Sequence, residues 1–321
     1  MSPQVSVIIP VHNTKNYFDK CMESVLGQTF GAIEVILAEN LSTDGSAEMC
    51  DGYARRDSRV RVLHLDKAGQ SHARNAALTV ARAMLVCFVD SDDYIEKNML
   101  EELHSLLVEH DADMVCSNFV YESDGNVQAN DDDDGKVLVL DKKQATEKFL
   151  SMEINNSPCT KLMKKSLFAN LEFPEGRFYE DHAIMHRVAL GCDKVVWLRR
   201  SFYYYVQHAA STVHVITPKK QHDFFIADYG RYCFVENEKS LLGSDYVRLL
   251  NLEATRCFKH FRTFMRNRQS DADSEARADM VAKLSAMSGN KNLKNKIRTR
   301  LRIVKNTFWL FYFIHIAFRR K

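Results

Sequence analysis

The hydrophobic pattern of the first 120 residues alternates between two periods. Short apolar runs, rich in β-branched residues, occur at Val5–Pro10, Ile33–Leu37, Val60–Leu65, Leu85–Val89 and Met114–Ser117. Segments with helical spacing lie between them, at Tyr17–Leu26, Ser46–Arg56, Ser71–Ala83 and Lys97–His110. Continuous apolar runs are typical of strands buried on both faces. The repeated strand–helix order therefore predicts an α/β fold of Rossmann-like type, with a mostly parallel sheet flanked by helices.

The regular alternation stops near residue 124. The acidic stretch Asp131–Asp134 predicts a solvated loop, with a calcium site as the less favoured interpretation because EF-hand spacing is absent. Residues 155–206 have an irregular pattern that predicts loops and one helix, Asp181–Leu190. Helical spacing then returns, at Gln221–Lys239, Tyr246–Arg268 and Ser274–Met287. We therefore predict a catalytic domain at residues 1–217 and a helical region at residues 218–321.

Polar residues follow three of the predicted strands directly. The first strand ends in PVHN (10–13), the second in EN (39–40) and the fourth in DSDD (90–93). Ligands of parallel sheets bind beyond the carboxyl ends of the strands. Neither G-x-G-x-x-G nor G-x-x-x-x-G-K-[ST] occurs, so the two common glycine-rich phosphate loops are excluded.

The carboxylates of Asp90, Asp92 and Asp93 point to a metal site. Neighbouring carboxylates repel each other, and a cation between them relieves that cost. Oxygen ligands favour Mg²⁺ or Mn²⁺, which can bridge a diphosphate. Helix capping is the alternative, but a cap explains one aspartate and not three.

Composition and charge narrow the class of protein. The chain has 45% hydrophobic and 27% charged residues, as soluble globular proteins do. Its eight cysteines form no C-x-x-C pair. No N-terminal secretory pattern is present, so we expect reduced thiols and a cytoplasmic location. Residues 291–321 hold ten Lys or Arg and no acidic residue, which leaves 34 basic and 42 acidic residues elsewhere. Nucleic-acid binding is not expected, because such proteins carry their basic surface on the folded body.

The basic tail, residues 291–321, also carries an apolar stripe. Its members recur at helical spacing: Leu293, Ile297, Leu301, Val304 and Phe308. The apolar run that follows, residues 308–318, would extend roughly 17 Å as a helix, too short for a ~30 Å hydrocarbon core. We therefore expect the tail to lie on an anionic membrane surface, which places the protein at the inner face of the cell membrane. The alternative is a helix that packs on the protein.

Four ordered motifs carry a resemblance to a known family. They are VSVIIPVHN (5–13), STDGS (42–46), SHARN (71–75) and FVDSDD (88–93), followed by FPEG (173–176) and Glu180–Asp181. In order and spacing the chain resembles glycosyltransferase family 2 of the type that builds bacterial surface glycans. The resemblance implies a GT-A fold, an inverting sugar transfer and a nucleotide diphosphate sugar as donor.

The resemblance also implies roles for donor-site residues. Asp90 and Asp92 match the D-x-D motif, with Asp92 as the direct metal ligand and Asp90 near the ribose or a metal-bound water. Pro10, Asn13 and Ser91 belong to the same donor-binding motifs. Glu39 and His12 stand where the family places residues that contact the nucleobase, and Asn40 replaces a common aspartate. Because these positions depart from the usual residues, uracil is the first expectation, with guanine and thymine left open.

Three further expectations concern charged residues near the donor and the acceptor. Arg74 is expected to contact the diphosphate or the donor sugar, with a surface helix arginine as the alternative. Asp44 is expected to cap the helix that follows it. Asp181 matches the catalytic base, which takes the acceptor proton, with Glu180 as its orienting neighbour. The alternative for both is favourable placement at a helix N-terminus.

His208 and Lys161 are weaker candidates. A late histidine, His208 or His214, could reach the metal or the pyrophosphate, and Lys161 could meet the acceptor or a phosphate. Together these features predict an inverting, metal-dependent glycosyltransferase that elongates a glycan or lipid-linked saccharide. The alternatives are a non-catalytic nucleotide-sugar-binding or membrane-scaffold protein on the same fold, and a nucleotidyltransferase, which would need a glycine- and lysine-rich loop after the first strand.

Overall fold

The computed structural model describes residues 2–123, 125–128, 130, 132–207, 216–267 and 273–304. The chain divides into two compact units. The first comprises residues 1–176 and 180–211, and the second comprises residues 177–179 and 212–321.

Ten strands of the described residues form one sheet. They are β1 (Val5–Val11), β2 (Ile33–Glu39), β3 (Val60–His64), β4 (Leu85–Phe88), β5 (Tyr94–Ile95), β6 (Met114–Ser123), β7 (Asn126–Val127), β8 (Val137–Asp141), β9 (Lys161–Lys164) and β10 (Lys194–Val206). The order along the sheet is β3-β2-β1-β4-β9-β6-β10-β5, with β7 beside β6 and β8 beside β10.

The helices of the first unit flank this sheet in sequence. They are α1 (Lys15–Leu26), α2 (Ser46–Arg56), α3 (Gln70–Val80), α4 (Met99–Glu109), α5 (Lys142–Ser151) and α6 (Glu180–Leu190). The five strands and four helices predicted in the first 120 residues are confirmed, with ends that differ by a few residues. All seven residues of β1 are buried, as its continuous apolar run predicts.

Strand direction changes half-way across the sheet. Strands β3, β2, β1 and β4 are parallel neighbours. Strand β9 is antiparallel to both β4 and β6, and β10 is parallel to β6. The sheet is therefore mixed, and its predicted parallel character holds for the first four strands. Because β9 is antiparallel to both of its neighbours, β4 and β6 run in the same direction, and β10 runs parallel to β6. The carboxyl ends of β4, β6 and β10 therefore lie at one edge of the sheet.

The helix predicted at Asp181–Leu190 is confirmed as α6, but the prediction that the rest of residues 155–206 forms loops was wrong. This segment contains β9, α6 and the 13-residue strand β10, the last of which pairs with three other strands. Buried and half-exposed positions are mixed along β10, and its register to β6 shifts twice. Only Val195–Leu198 form a continuous buried run, and the residues after them do not alternate strictly, so the two usual strand signals cover only part of β10.

Asp44 ties two helix N-termini together. Its carboxylate accepts hydrogen bonds from the backbone N–H of Lys15 (3.0 Å) and of Ser46 (3.0 Å), the first residues of α1 and α2. These bonds lower the pKa of Asp44 against the effect of its burial. The expected capping contact is therefore present, although Gly45, with φ of 99°, occupies the N-cap position itself.

The second unit is helical. It contains α7 (Pro218–Asn237), α8 (Lys239–Leu242), α9 (Tyr246–Asn267) and α10 (Ser274–Met287), and residues 295–304 are also helical. Between α7 and α9 the wholly buried Arg231 donates to Glu253 over 3.2 Å. No described helix is long and apolar enough to cross a membrane.

The apolar stripe of the tail packs inside the second unit. Leu293, Leu301 and Val304 are buried and Ile297 is half-buried, whereas Phe308 lies outside the described residues. The backbone N–H of Lys294 donates to Asn251 of α9 over 2.7 Å. The prediction that this apolar face lies on a membrane is therefore wrong for residues 291–304, because the face packs into the helical core of the second unit. The basic side chains remain on the outside.

Candidate active site

Three polar segments meet at one edge of the sheet. Because β2, β1 and β4 are adjacent and parallel, the residues after each strand come together, as the sequence predicted. Asn40 donates its backbone N–H to the carbonyl of Val11 (2.9 Å), and Thr14 donates its hydroxyl to Ser91 (3.0 Å). These bonds join the ends of all three strands into one site.

The exposed residues His12 and Asn13 lie at the centre of this edge. Nδ1 of His12 donates to the carbonyl oxygen of Asn40 over 2.6 Å. Nε2 is then free to accept from the amide of Asn13, 3.3 Å away. The two contacts hold the imidazole ring in one orientation. An exposed, fixed aromatic ring is suited to packing on a nucleobase.

Glu39 is buried at the end of β2. It accepts a hydrogen bond from the backbone N–H of Ser42 (2.6 Å) and lies 3.4 Å from Nδ1 of His64. Burial alone would raise the pKa of Glu39, but these two partners lower it. The carboxylate therefore stays ionised and can accept a further bond from a base N–H, while it also braces the turn after β2.

Asp93 holds the acidic turn in place. This carboxylate is 3% exposed, and it accepts from the hydroxyl of Tyr203 (2.6 Å) and the backbone N–H of Val206 (2.8 Å). Burial and the charges of Asp92 and Asp90 raise its pKa. The hydroxyl of Tyr203 also accepts from the backbone N–H of Asp90 over 3.1 Å. Tyr203, which we did not predict, thus joins both ends of the turn to β10.

Asp90 and Asp92 are left as the half-exposed carboxylates of the turn. Oδ1 of Asp90 accepts from Arg74 (2.9 Å) and Gln70 (3.1 Å). No described residue hydrogen-bonds Oδ2 of Asp90. The described residues contain no group of three His, Cys, Asp or Glu side chains arranged around a metal ion. A cation here would accordingly draw on two carboxylates and on oxygens of a substrate.

Arg74 bridges the acidic turn and the start of α6. Its guanidinium is 2% exposed and donates through Nη2 to Asp90 (2.9 Å) and through Nη1 to Glu180 (2.5 Å). Burial disfavours its charge, but Asp90 and Glu180 outweigh that effect and raise its pKa. The sequence did not predict this bridge, which connects residues 106 positions apart. Glu180 is buried beside its neighbour Asp181.

Asp181 has the properties of a general base. Burial and the neighbouring charge of Glu180 raise the pKa of its carboxyl group to about 7, while Arg74 opposes the rise. One oxygen accepts the backbone N–H of His182 over 2.6 Å. A base is most effective when its pKa lies near the operating pH, so this value suits proton abstraction near neutrality.

The segment before α6 is fastened to α3. Asn75 exchanges two hydrogen bonds with the backbone of Phe173, each 2.9 Å long. Ser71 donates to the carbonyl of Pro174 over 2.8 Å. The SHARN segment therefore positions the FPEG segment, and Arg74 on the same helix binds the carboxylate of Glu180 beyond it.

Comparison with known proteins identifies the family of the chain. The profile of Glycosyl transferase family 2 matches residues 6–172, more than half of the chain. Glycosyltransferase GlyG of Streptococcus pneumoniae is 37% identical over 220 residues, 66% of this chain and 73% of GlyG. The uncharacterised glycosyltransferase EpsJ of Bacillus subtilis is 31% identical over 257 residues, 72% of this chain and 71% of EpsJ.

The chain belongs to glycosyl transferase family 2. Its fold is that of a solved relative, S. aureus TarS 1–349 in complex with UDP-GlcNAc, with a TM-score of 0.74. That match covers 95% of this chain and 87% of the TarS fragment at 21% identity. The predicted GT-A fold with a helical C-terminal region is thereby confirmed, and so is the assignment as a glycosyltransferase.

Lys161, His208 and His214 were also predicted as candidate site residues of this glycosyltransferase. Lys161 was expected to meet acceptor or phosphate, but it is wholly buried. Its ammonium group donates to the carbonyl of Ser157 (2.6 Å) and to the carbonyl (2.8 Å) and side chain (3.1 Å) of Asn155, so its role is structural. Burial lowers its pKa to about 8. His208 and His214 lie outside the described residues.

Pro10 and Ser91 are buried, and their donor contacts stay predictions.

Of the eight cysteines, seven are buried and all are free thiols.

Proposed function

We propose that this glycosyltransferase transfers a sugar from a nucleotide diphosphate sugar to a hydroxyl group of a glycan, with inversion at the anomeric carbon. One observation carries the proposal. The buried guanidinium of Arg74 holds the donor-side carboxylate Asp90 and the acceptor-side carboxylate Glu180 at once. Metal-binding and proton-accepting groups are thereby kept at a fixed separation, which sugar transfer between two substrates requires.

The proposed reaction uses Asp181 as the base. Its carboxylate takes the proton of the acceptor hydroxyl while that oxygen bonds to the anomeric carbon. The bond from that carbon to the diphosphate breaks, and the nucleoside diphosphate leaves with the electron pair. Burial and the charge of Glu180 raise the pKa of Asp181, and the charge of Arg74 opposes the rise. His12 and Glu39 would hold the nucleobase, and Asn13 the neighbouring part of the nucleoside.

Asp92 and Asp90 would hold Mn²⁺ or Mg²⁺. Their oxygen donors and half-exposed position fit a hard cation, and Oδ2 of Asp90 accepts no bond from the described residues. Such a cation would offset the charge that develops on the diphosphate. UDP is our first choice of nucleotide, because the TarS structure of the same fold contains UDP-GlcNAc.

Nucleotide binding gives a direct test of this proposal. UDP at ~100 times its dissociation constant should stabilise the protein by about 2.7 kcal/mol when manganese is present. Asp92→Asn should abolish the manganese-dependent part of the shift, since an amide is a poorer ligand for a hard cation. Thermal unfolding with UDP, GDP and dTDP, each with and without manganese, measures it. Equal stabilisation of both proteins by UDP and manganese would reject the metal assignment.

We further propose that the acceptor is lipid-linked and that the protein acts at the inner membrane face as a peripheral protein. The support is the outer surface of residues 291–304, where Leu293, Leu301 and Val304 are buried while five basic residues are exposed: Lys291, Lys294, Lys296, Arg300 and Arg302. Attraction to an anionic leaflet would thus be electrostatic, at about 1 kcal/mol for each basic residue near the surface.

Reversal of two of these charges tests the membrane proposal. The double variant Lys296→Glu/Arg302→Glu should bind anionic vesicles at least tenfold more weakly, and wild-type binding should fall with salt. Co-sedimentation with phosphatidylserine vesicles across a salt series measures both. The matched control reverses two exposed basic residues of the first unit, Arg55→Glu/Lys97→Glu. If vesicle binding weakened equally in the two double variants, the helix at residues 295–304 would have no specific role in membrane binding.

A further inference from the structure

Three aromatic rings form a cluster on one face of the sheet. Phe119 and Tyr121 lie two residues apart on β6, with ring centroids separated by 5.2 Å. Tyr205 of β10 lies 5.6 Å from Tyr121 and 6.2 Å from Phe119. Tyr121 is 40% exposed, and the other two rings are half-buried. We call Phe119, Tyr121 and Tyr205 the aromatic platform.

The platform is continuous with the acidic turn. In the register of β6 and β10, Tyr205 pairs with Tyr121 and Tyr203 pairs with Phe119. Side chains two residues apart on a strand share a face, so Tyr203 lies on the platform side of the sheet. Its hydroxyl binds Asp93 and the backbone of Asp90. On this face of β10, Tyr203 thus lies between Tyr205 of the platform and the proposed metal site.

The position along the sheet identifies what the platform would contact. His12 and Glu39, the proposed nucleobase contacts, follow β1 and β2 on one flank of β4. Strands β6 and β10 lie on the other flank, and their carboxyl ends reach the same edge as β4. A donor that extends from His12 to Asp92 leaves the platform to the second substrate.

The chemistry of the rings narrows that substrate further. A tyrosine side chain has an apolar face and a polar hydroxyl, so it pairs well with groups that combine both characters. A pyranose ring has such a surface, with a flat C–H face and a rim of hydroxyl groups. Tyr121 contacts Phe119 and Tyr205 edge to face, at 88° and 81°, which is a geometry that aromatic pairs prefer.

We infer that the aromatic platform binds a sugar ring of the glycan acceptor next to the one that is extended. This inference rests on the proposed glycosyl transfer for its biological meaning, but the binding itself does not depend on the donor. Tyrosine is enriched among the residues that contribute most to binding at protein interfaces, and Tyr121 is the most exposed ring here.

Saccharide binding to purified full-length protein tests the inference. Chitotriose, cellotriose and maltotriose serve as probes, and NMR titration with saturation transfer gives their dissociation constants. At least one probe should bind, and Tyr121→Ala should weaken it about fivefold or more, whereas Tyr121→Trp should retain it. The matched control is Val139→Ala on β8, which removes an exposed apolar side chain without a ring.

The outcomes separate this inference from the proposed function. UDP with manganese should stabilise wild type, Tyr121→Ala and Val139→Ala equally, since the platform lies away from the nucleotide. Probe binding that is equal in wild type and Tyr121→Ala, or absent for all three probes, overturns the platform. Probe binding that depends on Tyr121 in a protein that no nucleotide stabilises retains the platform and rejects the glycosyl transfer.

Discussion

Asp181→Asn should reduce sugar transfer by a factor on the order of 10² or more while nucleotide binding is retained. The amide keeps the size of the side chain but cannot accept the proton of the acceptor hydroxyl. Initial rates with donor and acceptor, together with UDP stabilisation, measure the two effects. The matched control is Asp193→Asn, which removes a carboxylate that is 91% exposed and paired with Lys142. Turnover of Asp181→Asn near the wild-type rate would transfer the role to another carboxylate.

The pH profile of the wild-type enzyme follows from the same group. Burial and Glu180 raise the pKa of Asp181 to about 7, so the carboxylate is protonated below that pH and cannot act as a base. Transfer should therefore rise with pH through about 7.

Stability has the opposite dependence, since a raised carboxyl pKa makes the native protein less stable as pH increases from about 4 to 7. Asp181→Asn should remove this unfavourable contribution to the free energy of folding, so we expect the variant to fold.

Arg74→Met should lower the free energy of unfolding by about 3–5 kcal/mol and abolish transfer. Methionine fills similar space but leaves Asp90 and the buried Glu180 without their cation. Urea denaturation of wild type and variant measures the loss. Arg55→Met, at an exposed position on α2, is the matched control and should stay within about 0.5 kcal/mol of wild type.

Two further variants identify the cause of that loss. Arg74→Lys keeps the positive charge but cannot donate in a fork to both carboxylates, so an intermediate loss is expected. Glu180→Gln in the Arg74→Met background removes one unpaired charge and should restore part of the stability. Additive losses in that double-mutant cycle would mean that the ion pair contributes no coupling energy.

The sequence predicted most of the residues that meet at the carboxyl ends of β1, β2 and β4. Strands β1, β2 and β4 have local signals, namely continuous apolar runs, and the rule for parallel sheets places the residues after them at one edge. His12, Glu39 and the Asp90–Asp93 turn were predicted in this way. The assignment to a glycosyltransferase family came from ordered motifs and was confirmed by the comparisons.

The sequence was a poorer guide after residue 124. Strand β10 was missed because its burial pattern is mixed and its register shifts. Lys161 was misread because a lysine in a motif gives no sign of being wholly buried among backbone carbonyls. The tail stripe was placed on a membrane, since an apolar helical face has the same periodicity whether it meets lipid or a neighbouring helix.

By itself the sequence determined the alternating α/β order, the acidic turn after β4 and the family, because each of these depends on residues that are close together in the chain. Only the tertiary structure decided how those residues divide their roles. Asp93 became a structural residue through Tyr203, 110 positions away, and Arg74, which also binds Asp90, paired with Glu180 across 106 positions. Such partners leave no local periodicity, since their proximity arises from strand order and direction in the assembled sheet.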